Sequence, residues 1–198
     1  MTDRKATISR TTNETSIELS LNVNGTGIVQ ADTGVHFLDH MLDAVCRHAR
    51  WDLNVKASGD AAMDAHHTVE DVGIAFGQAL KQALGDRMGI DRYGSAYAPL
   101  DEALARVVVD ISGRPFLEFV AEMPEPVIGT DFAASLVEEF WRSVAMNAGI
   151  TMHIDLLRAR NSHHAAEAIF KAAAVALRTA VKIGGPTNAV PSTKGVLT

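Results

Sequence analysis

The amino-acid sequence predicts an α+β protein made of two halves that share one order of elements: three strands, a helix, a strand and a helix. The word His66-His67-Thr68-Val69-Glu70 returns as His163-His164-Ala165-Ala166-Glu167, 97 residues later, and each word opens a run with helical spacing of apolar residues. The segments before each word also follow the same order, which is typical of a duplication. We therefore expect residues 1–90 and 91–183 to be the two repeats, and residues 184–198, which lack core periodicity, to form a flexible C-terminal tail.

The individual elements follow from two patterns, because alternating apolar residues indicate strands and a 3.6-residue apolar period indicates helices. In the first half, strands are expected over residues 6–10, 16–23, 27–30 and 51–57, with helices over 36–50 and from 66 to about 85. In the second half, strands are expected over 93–98, 103–111, 116–121 and 150–157, with helices from about 131 to 147 and from the second word onwards.

The two words point their polar side chains away from the apolar stripe of the helix that each one opens. The first His and the Glu are four residues apart and therefore neighbours on a helix, whereas adjacent histidines diverge by about 100°. We expect the first His to share a metal ion with the Glu and the second His to reach another ion. A solvated helix start that happens to carry histidine is the alternative interpretation, and the repetition with the same phase argues against it.

The duplication also pairs His40 with Glu139, because both lie in segments that read apolar, acidic, ligand-capable, apolar, apolar, 99 residues apart. Each could supply a further ligand to one of the two ions. A shell of imidazole and carboxylate without thiolate favours Mn, Fe, Co or Zn over Mg or Ca. The alternatives are a histidine at a helix surface for His40 and a solvated helix charge for Glu139.

Composition limits the class of protein. With 198 residues, 47% of them hydrophobic and 21% charged, the chain can bury one substantial core or two small fused ones. A net charge of −6 argues against nucleic-acid binding, and the single Cys46 cannot form an internal disulfide. No apolar run approaches the roughly 18 residues of a membrane span, and the N-terminus lacks the apolar region of a signal peptide. We expect a cytoplasmic protein without a membrane partner.

Five segments together resemble the imidazoleglycerol-phosphate dehydratase family, and the resemblance spans nearly the whole chain. The segments are 37–43 (FLDHMLD), 66–71 (HHTVED), 112–115 (SGRP), 161–164 (NSHH) with Glu167, and 191–195 (PSTKG). The resemblance implies two four-stranded sheets that enclose a layer of four helices. It also implies a homo-oligomer of 24 subunits with active sites between chains and two Mn ions in each site. The implied reaction is the dehydration of D-erythro-imidazole glycerol phosphate to imidazole acetol phosphate in histidine biosynthesis.

The resemblance assigns roles to individual residues. Glu14 is implied as the acid or base that faces the substrate, and Glu167 as a ligand that also transfers a proton. The chain departs from the family at Glu139, where many relatives have histidine, and at Ala44, where relatives often have glutamine. The metal ligands carried over, with Glu139 added as a carboxylate in place of that histidine, are His40, His66, His67, Glu70, Glu139, His163, His164 and Glu167.

A phosphate-binding cluster is predicted from basic residues in loops. Arg92 follows Gly-Ile-Asp, Arg114 lies in a Gly-Arg-Pro turn, and Lys194 lies in the tail. Cationic side chains on loops are suited to clamp a phosphate, although each of these residues alone is more typical of a surface charge. The family pattern places Arg92, Arg114 and Lys194 around the substrate phosphate together with Ser192, so the tail is expected to bind substrate.

Two other classes of function are compatible with these residues. A hydrolase with two metal ions would use a similar shell of histidine and glutamate, although the word His-Glu-x-x-His does not occur. Metal-dependent release of inorganic phosphate would identify that class. A structural or metal-storing oligomer would instead use the half-sites to join subunits, and Arg92, Arg114 and Lys194 would then be dispensable for every activity.

Overall fold

The chain forms two four-stranded sheets and four helices in a computed structural model that describes residues 4–59, 64–186 and 188–197. Residues 1–3 and 60–63 of the first predicted repeat, and residues 187 and 198 of the predicted tail, lie outside the described residues. The first half contains β1 (Lys5–Thr11), β2 (Thr15–Asn22), β3 (Val29–Asp32), α1 (His36–Ala49), β4 (Asp52–Gly59) and α2 (His66–Leu84). The second half contains β5 (Tyr93–Leu100), β6 (Ala103–Asp110), β7 (Phe116–Val120), β8 (Val127–Ile128), β9 (Phe132–Ala133), α3 (Leu136–Ala148), β10 (Thr151–Arg158) and α4 (Ser162–Ala180).

The two large sheets have the same topology. Their strand orders are β1-β2-β4-β3 and β5-β6-β10-β7. In both sheets the second strand pairs antiparallel with two neighbours, and the edge strand, β3 or β7, pairs parallel with β4 or β10. The α+β class and the duplicated order of elements are therefore confirmed, with the short β8–β9 hairpin as an addition in the second half.

Two elements begin later than the sequence predicts. β3 starts at Val29 because the preceding residues are held in a turn: the Asp52 carboxylate accepts the backbone N–H groups of Thr26, Gly27 and Ile28 at 2.8, 3.1 and 3.0 Å. α3 starts at Leu136 because residues 127–133 pair with each other as β8 and β9. Local turn contacts thus override the apolar pattern at both places.

The helices pack in two pairs, α1 with α4 and α2 with α3. Glycines allow α2 and α3 to approach closely: a Cβ at Gly77 would lie 2.7 Å from the carbonyl oxygen of Val144, and one at Gly73 would lie 2.9 Å from that of Phe140. Gly94 of β5 plays the same role, because a Cβ there would overlap the backbone of α4 at Ala176. Backbone packs on backbone at these places, so the spacing of the helix layer is fixed.

The core lies between the sheets and the helix layer. Most residues of α2 and α4 are buried, and small side chains, mainly alanine, fill much of the space around α4. No helix in the described part of the chain is long and apolar enough to cross a membrane. The largest fully buried side chains include Trp51, Trp141, Phe76, Phe140 and Phe170.

The close packing of α2 on α3 leads to a prediction about Gly77. Alanine is intrinsically better than glycine in a helix by about 1 kcal/mol, so Gly77→Ala would stabilise an isolated α2. In the folded chain the added methyl meets the Val144 carbonyl, and overpacking of this kind costs about 1–3 kcal/mol. We expect a net loss, measured as a lower urea midpoint and a lower Tm. Gln78→Ala, one residue further along α2, is the control, and a Gly77→Ala midpoint at or above the wild-type value would contradict the packing argument.

Candidate functional site

Three potential metal ligands meet where α1 packs on α4. The Nε2 atom of His40 lies 3.3 Å from the carboxylate of Glu167, and the Nε2 atom of His163 lies 3.4 Å from the same oxygen. One ligand atom from each residue falls within 4.8 Å of the other two. His163 and Glu167 are neighbours on one face of α4, as their spacing predicts, and the packing of α1 brings His40 to them.

The ring of Phe37 packs near both imidazole rings. Phe37 meets the ring of His163 edge-on, with centroids 5.3 Å apart, and lies 6.3 Å from the ring of His40. Phe37 itself packs on Phe132 of β9, at 4.8 Å. Both histidine rings remain open to solvent, whereas only 15% of the Glu167 side chain is exposed. The arrangement is an exposed pair of imidazoles above a largely covered carboxylate.

Lys171 is a third partner of Glu167 and carries a permanent positive charge. Its Nζ atom lies 2.6 Å from the second carboxylate oxygen, one helical turn further along α4. Burial raises the pKa of Glu167, but the hydrogen bond and charge of Lys171, followed by those of His40, outweigh burial and hold the pKa below its usual value. Glu167 is therefore an ionised acceptor. The sequence analysis missed Lys171, although its spacing of four residues from Glu167 was a usable signal.

His164 diverges from its neighbour and has a different partner. The rings of His163 and His164 are inclined by 87°, with centroids 6.2 Å apart. The Nδ1 atom of His164 lies 2.8 Å from the carboxylate of Glu102, which the sequence analysis did not identify. The hydrogen bond from His164 lowers the pKa of Glu102 to about 2, and the hydrogen bond to Glu102 raises the pKa of His164. The two pKa shifts widen the range of pH over which both groups are charged and form an ion pair.

The first word lies at the start of α2, in a similar arrangement. The rings of His66 and His67 are inclined by 88°, and the Nδ1 atom of His67 lies 3.7 Å from the carboxylate of Glu14. Asp71 holds this region together: its carboxylate accepts the Nε–H of Arg10 at 2.9 Å and also accepts the hydroxyl of Thr15. The buried Asp71 thereby fixes the loop that carries Glu14 beside the start of α2.

The remaining predicted ligands do not converge within one chain. Glu139 lies on α3, where its carboxylate lies 3.9 Å from the Nε atom of Arg142. Among residues 4–59, 64–186 and 188–197, the set His40, His163 and Glu167 is the single group of three or more His, Cys, Asp or Glu side chains with converging ligand atoms. His66, His67, Glu70, Glu139 and His164 therefore lie outside the converging set.

A groove of about 550 Å³ opens beside the converging set. Its walls include Phe37, His40 and His163 on one side and the segment 128–133 on another. Asp64 and Ala65, which directly precede the first word, also line it. The residues just before α2 and two of the three converging ligands, His40 and His163, thus face one groove.

Two of the predicted phosphate-binding residues, Arg92 and Arg114, meet at Asp110 at the end of β6. Arg92 is 12% exposed and is bound to the Asp110 carboxylate at 2.7 Å, and its Nη1 atom donates to the carbonyl of Pro191 at 2.8 Å. Arg114 is 60% exposed and lies 3.7 Å from the same carboxylate. In the tail, the hydroxyl of Ser192, the residue after Pro191, accepts the backbone N–H of Lys194 at 3.2 Å. Arg92 thus contacts both the tail, at Pro191, and Asp110, a carboxylate that the sequence analysis did not identify.

The chain resembles known proteins in both sequence and structure. Residues 33–177 match the family model of imidazoleglycerol-phosphate dehydratase. The imidazoleglycerol-phosphate dehydratase of Rhodopseudomonas palustris (strain TIE-1) is 55% identical over 195 residues, which cover 98% of each chain. That of Nitrosomonas eutropha is 54% identical over 195 residues, covering 98% of this chain and 100% of the relative.

Two solved structures have the same fold. The crystal structure of imidazoleglycerol-phosphate dehydratase from Staphylococcus aureus subsp. aureus N315 aligns with a TM-score of 0.82 and 43% identity, covering 92% of this chain and 99% of that one. The crystal structure of IGPD from Pyrococcus furiosus in complex with (S)-C348 aligns with a TM-score of 0.83 and 36% identity, covering 96% and 100%. The chain therefore belongs to the imidazoleglycerol-phosphate dehydratase family and is a dehydratase, a hydro-lyase of histidine biosynthesis.

Proposed function

We propose that this dehydratase depends on bound metal ions and converts D-erythro-imidazole glycerol phosphate to imidazole acetol phosphate and water. The observation that carries the metal dependence is the convergence of His40, His163 and Glu167 from two helices, beside a groove. Both imidazole side chains are nearly half exposed, and both Nε2 atoms face the same carboxylate oxygen of Glu167.

The residues fit the expected metal. Two imidazole nitrogens and one carboxylate oxygen, without thiolate, suit Mn, Fe, Co or Zn, and three protein ligands leave coordination positions for substrate or water. We propose two Mn ions in each active site, with Fe, Co or Zn as alternatives. The residues proposed to complete the ligand set are His66, His67, Glu70, Glu139 and His164.

Dehydration requires the removal of a proton from carbon and the departure of a hydroxyl group. A bound divalent metal supplies Lewis acidity, which draws electron density from an imidazole ring or from an oxygen that it contacts. Among the residues of the chain, Glu14 is proposed to transfer protons at the substrate, because 55% of its side chain is exposed and its carboxylate is only loosely held by His67. Glu167 is ionised in the folded chain and so can accept a proton as well as bind a metal.

Some of the predicted phosphate-binding residues are proposed to position the tail, and others to supply positive charge to the phosphate. Arg92 is committed to Asp110 and to the carbonyl of Pro191, so its role is to hold the tail with Ser192 in place. Arg114 is more exposed and more loosely bound, and Lys194 is exposed, so these two cations are available to the phosphate.

We propose a homo-oligomer of 24 subunits with active sites between chains. The ligands on α2 and α3 do not form a converging set within the described part of one chain, so a second ion would need ligands from another subunit. The outer face of the second large sheet also exposes apolar side chains, as expected of a surface that contacts another subunit. These side chains are Tyr93, Tyr97, Val108, Phe116 and Val120.

Removal of metal is expected to weaken the assembly, because an ion shared between chains links them. The molar mass in solution should fall when a chelator is added, and also near pH 5, where protonated imidazoles no longer bind metal. Light scattering with and without chelator, at neutral and acidic pH, measures this. A mass unchanged by both treatments would rule out metal sites between subunits.

His40→Ala is expected to reduce metal binding, because it removes one of the three converging donors. Loss of an outer-shell partner lowers metal affinity by roughly tenfold or more. Because His40 is proposed as a direct ligand, we expect the affinity for Mn²⁺ to fall by at least as much, with turnover falling in parallel. Arg47→Ala, an exposed residue of the same helix that pairs with Asp43 and lies outside the converging set, is the control. Calorimetric titration and elemental analysis measure the binding, and wild-type affinity in His40→Ala would exclude this residue as a ligand.

Lys194→Ala is expected to weaken substrate binding and leave metal content unchanged, because Lys194 lies in the tail and the metal ligands lie on helices. A lost charge-assisted contact of about 1.5–3 kcal/mol raises KM by roughly ten- to a hundredfold. Steady-state kinetics over a wide range of substrate, beside metal analysis, measure both. Lys81→Ala, an exposed lysine near the end of α2, is the control. Loss of metal, or a wild-type KM, in Lys194→Ala would show that the residue does not bind the phosphate.

A further inference from the structure

Glu102 occupies the two-residue turn between β5 and β6 and contacts the start of α4. Its carboxylate lies 2.8 Å from the Nδ1 atom of His164, and its other oxygen accepts the backbone N–H of Arg160 at 3.1 Å. Only 20% of the Glu102 side chain is exposed. The carboxylate is therefore held from two sides, and the His164 ring is held by it.

The duplicated fold places a glutamate near the equivalent histidine in its other half. Glu14 directly precedes β2 and Glu102 directly precedes β6, and these strands hold equivalent positions in the two sheets. Glu14 lies 3.7 Å from the Nδ1 atom of His67, which is the second histidine of the first word, as His164 is of the second. In both halves, a glutamate at the tip of a hairpin faces the Nδ1 atom of the second histidine. The Nε2 atom of that histidine does not contact this glutamate.

A neutral imidazole carries one N–H, and the hydrogen bond of one ring nitrogen decides which nitrogen keeps the lone pair. A carboxylate cannot donate a hydrogen bond when ionised, so the Nδ1 atom that faces it must carry the proton. The lone pair then lies on Nε2. A carboxylate behind an imidazole in this way orients the ring and raises the basicity of its free nitrogen toward a metal ion.

We propose that Glu102 is a positioning residue that holds His164 in its Nδ1–H tautomer and presents the Nε2 atom as a metal ligand. The part of this inference that concerns metal rests on the proposed function. The part that concerns the tautomer is a property of the metal-free chain and can be tested separately.

The two halves use this contact to different extents. Glu102 lies at hydrogen-bond distance from its histidine, whereas Glu14 lies at 3.7 Å and is more exposed. A glutamate held tightly by its histidine and by a backbone N–H suits positioning. A glutamate held loosely keeps its carboxylate free for proton transfer, which is the role proposed for Glu14. The duplicated position has thus given rise to two roles.

The first experiment measures the tautomer in metal-free protein labelled with ¹⁵N-histidine, by solid-state NMR at a pH where the imidazole is neutral. His164→Asn identifies the His164 resonances by their loss. We expect the Nδ1–H form in the wild type and a shift toward the Nε2–H form in Glu102→Ala. Glu102→Gln, which keeps an acceptor oxygen, should restore the Nδ1–H form. An unchanged tautomer in Glu102→Ala overturns the proposal.

Glu125→Ala is the matched control, because Glu125 also holds the start of α4 but touches Ser162 there. Its carboxylate accepts the backbone N–H of Ser162 at 2.5 Å, and its own N–H donates to the Ser162 hydroxyl at 2.7 Å. Glu125→Ala should therefore loosen the helix start and leave the tautomer of His164 unchanged. An equal loss of the tautomer in Glu125→Ala would assign the effect to packing of the helix start and overturn the role of Glu102.

The second experiment titrates the metal-free variants with Mn²⁺. Loss of an outer-shell carboxylate typically lowers metal affinity by about 10–100-fold, and we expect a loss of this size in Glu102→Ala but not in Glu125→Ala. Wild-type affinity in Glu102→Ala would contradict the positioning of Nε2 as a ligand. Absence of Mn²⁺ binding to the wild type would instead contradict the proposed metal dependence, and the NMR result would still decide whether Glu102 sets the tautomer.

Discussion

The burial of the helix layer is the constraint on which the site depends. α2 packs against the first sheet and α3, and α4 packs against the second sheet and α1, so most of each long helix is covered. Unpaired polar side chains in such a layer would cost several kcal/mol each, so potential ligands on α2 and α4 are tolerated mainly at the helix starts. Both His-His words lie in a first turn, and the close packing of α1 on α4 then determines that His40 joins His163 and Glu167.

Carboxylates from several elements hold the basic side chains around this layer. Glu167 binds two imidazoles and an ammonium, Glu102 binds His164, and Asp110 lies between Arg92 and Arg114. Glu167 and Glu102 each lie on an element that is distant in sequence from at least one partner. Asp110 instead lies next to a turn that redirects the chain. These hydrogen bonds and ion pairs hold the side chains of the site at the edge of the apolar core, where partial desolvation strengthens them.

Periodicity and repetition predicted the order of elements and the adjacency of His163 and Glu167, because both are local properties of a helix. They identified His40 as ligand-capable through its duplicated position, but its meeting with Glu167 depends on how α1 packs on α4, 127 residues later in the chain. Glu102 and Asp110 were missed for the same reason, since a hairpin tip and a strand end give no sign of the side chains that they will face. The start of α3 was predicted five residues too early because the 127–133 segment pairs with itself, a preference that its apolar residues do not reveal.

The ion pair between Lys171 and Glu167 has a consequence for the metal-free protein. A carboxylate with so little exposure is costly to leave without a counter-charge, yet Lys171 supplies a permanent one from the next turn of the same helix. The carboxylate is therefore electrically compensated by the chain itself. If the metal dependence proposed above holds, the same ammonium would repel an incoming cation, so this compensation would oppose tight metal binding. The fraction of active enzyme would then follow the supply of free metal while the amount of folded protein stayed constant.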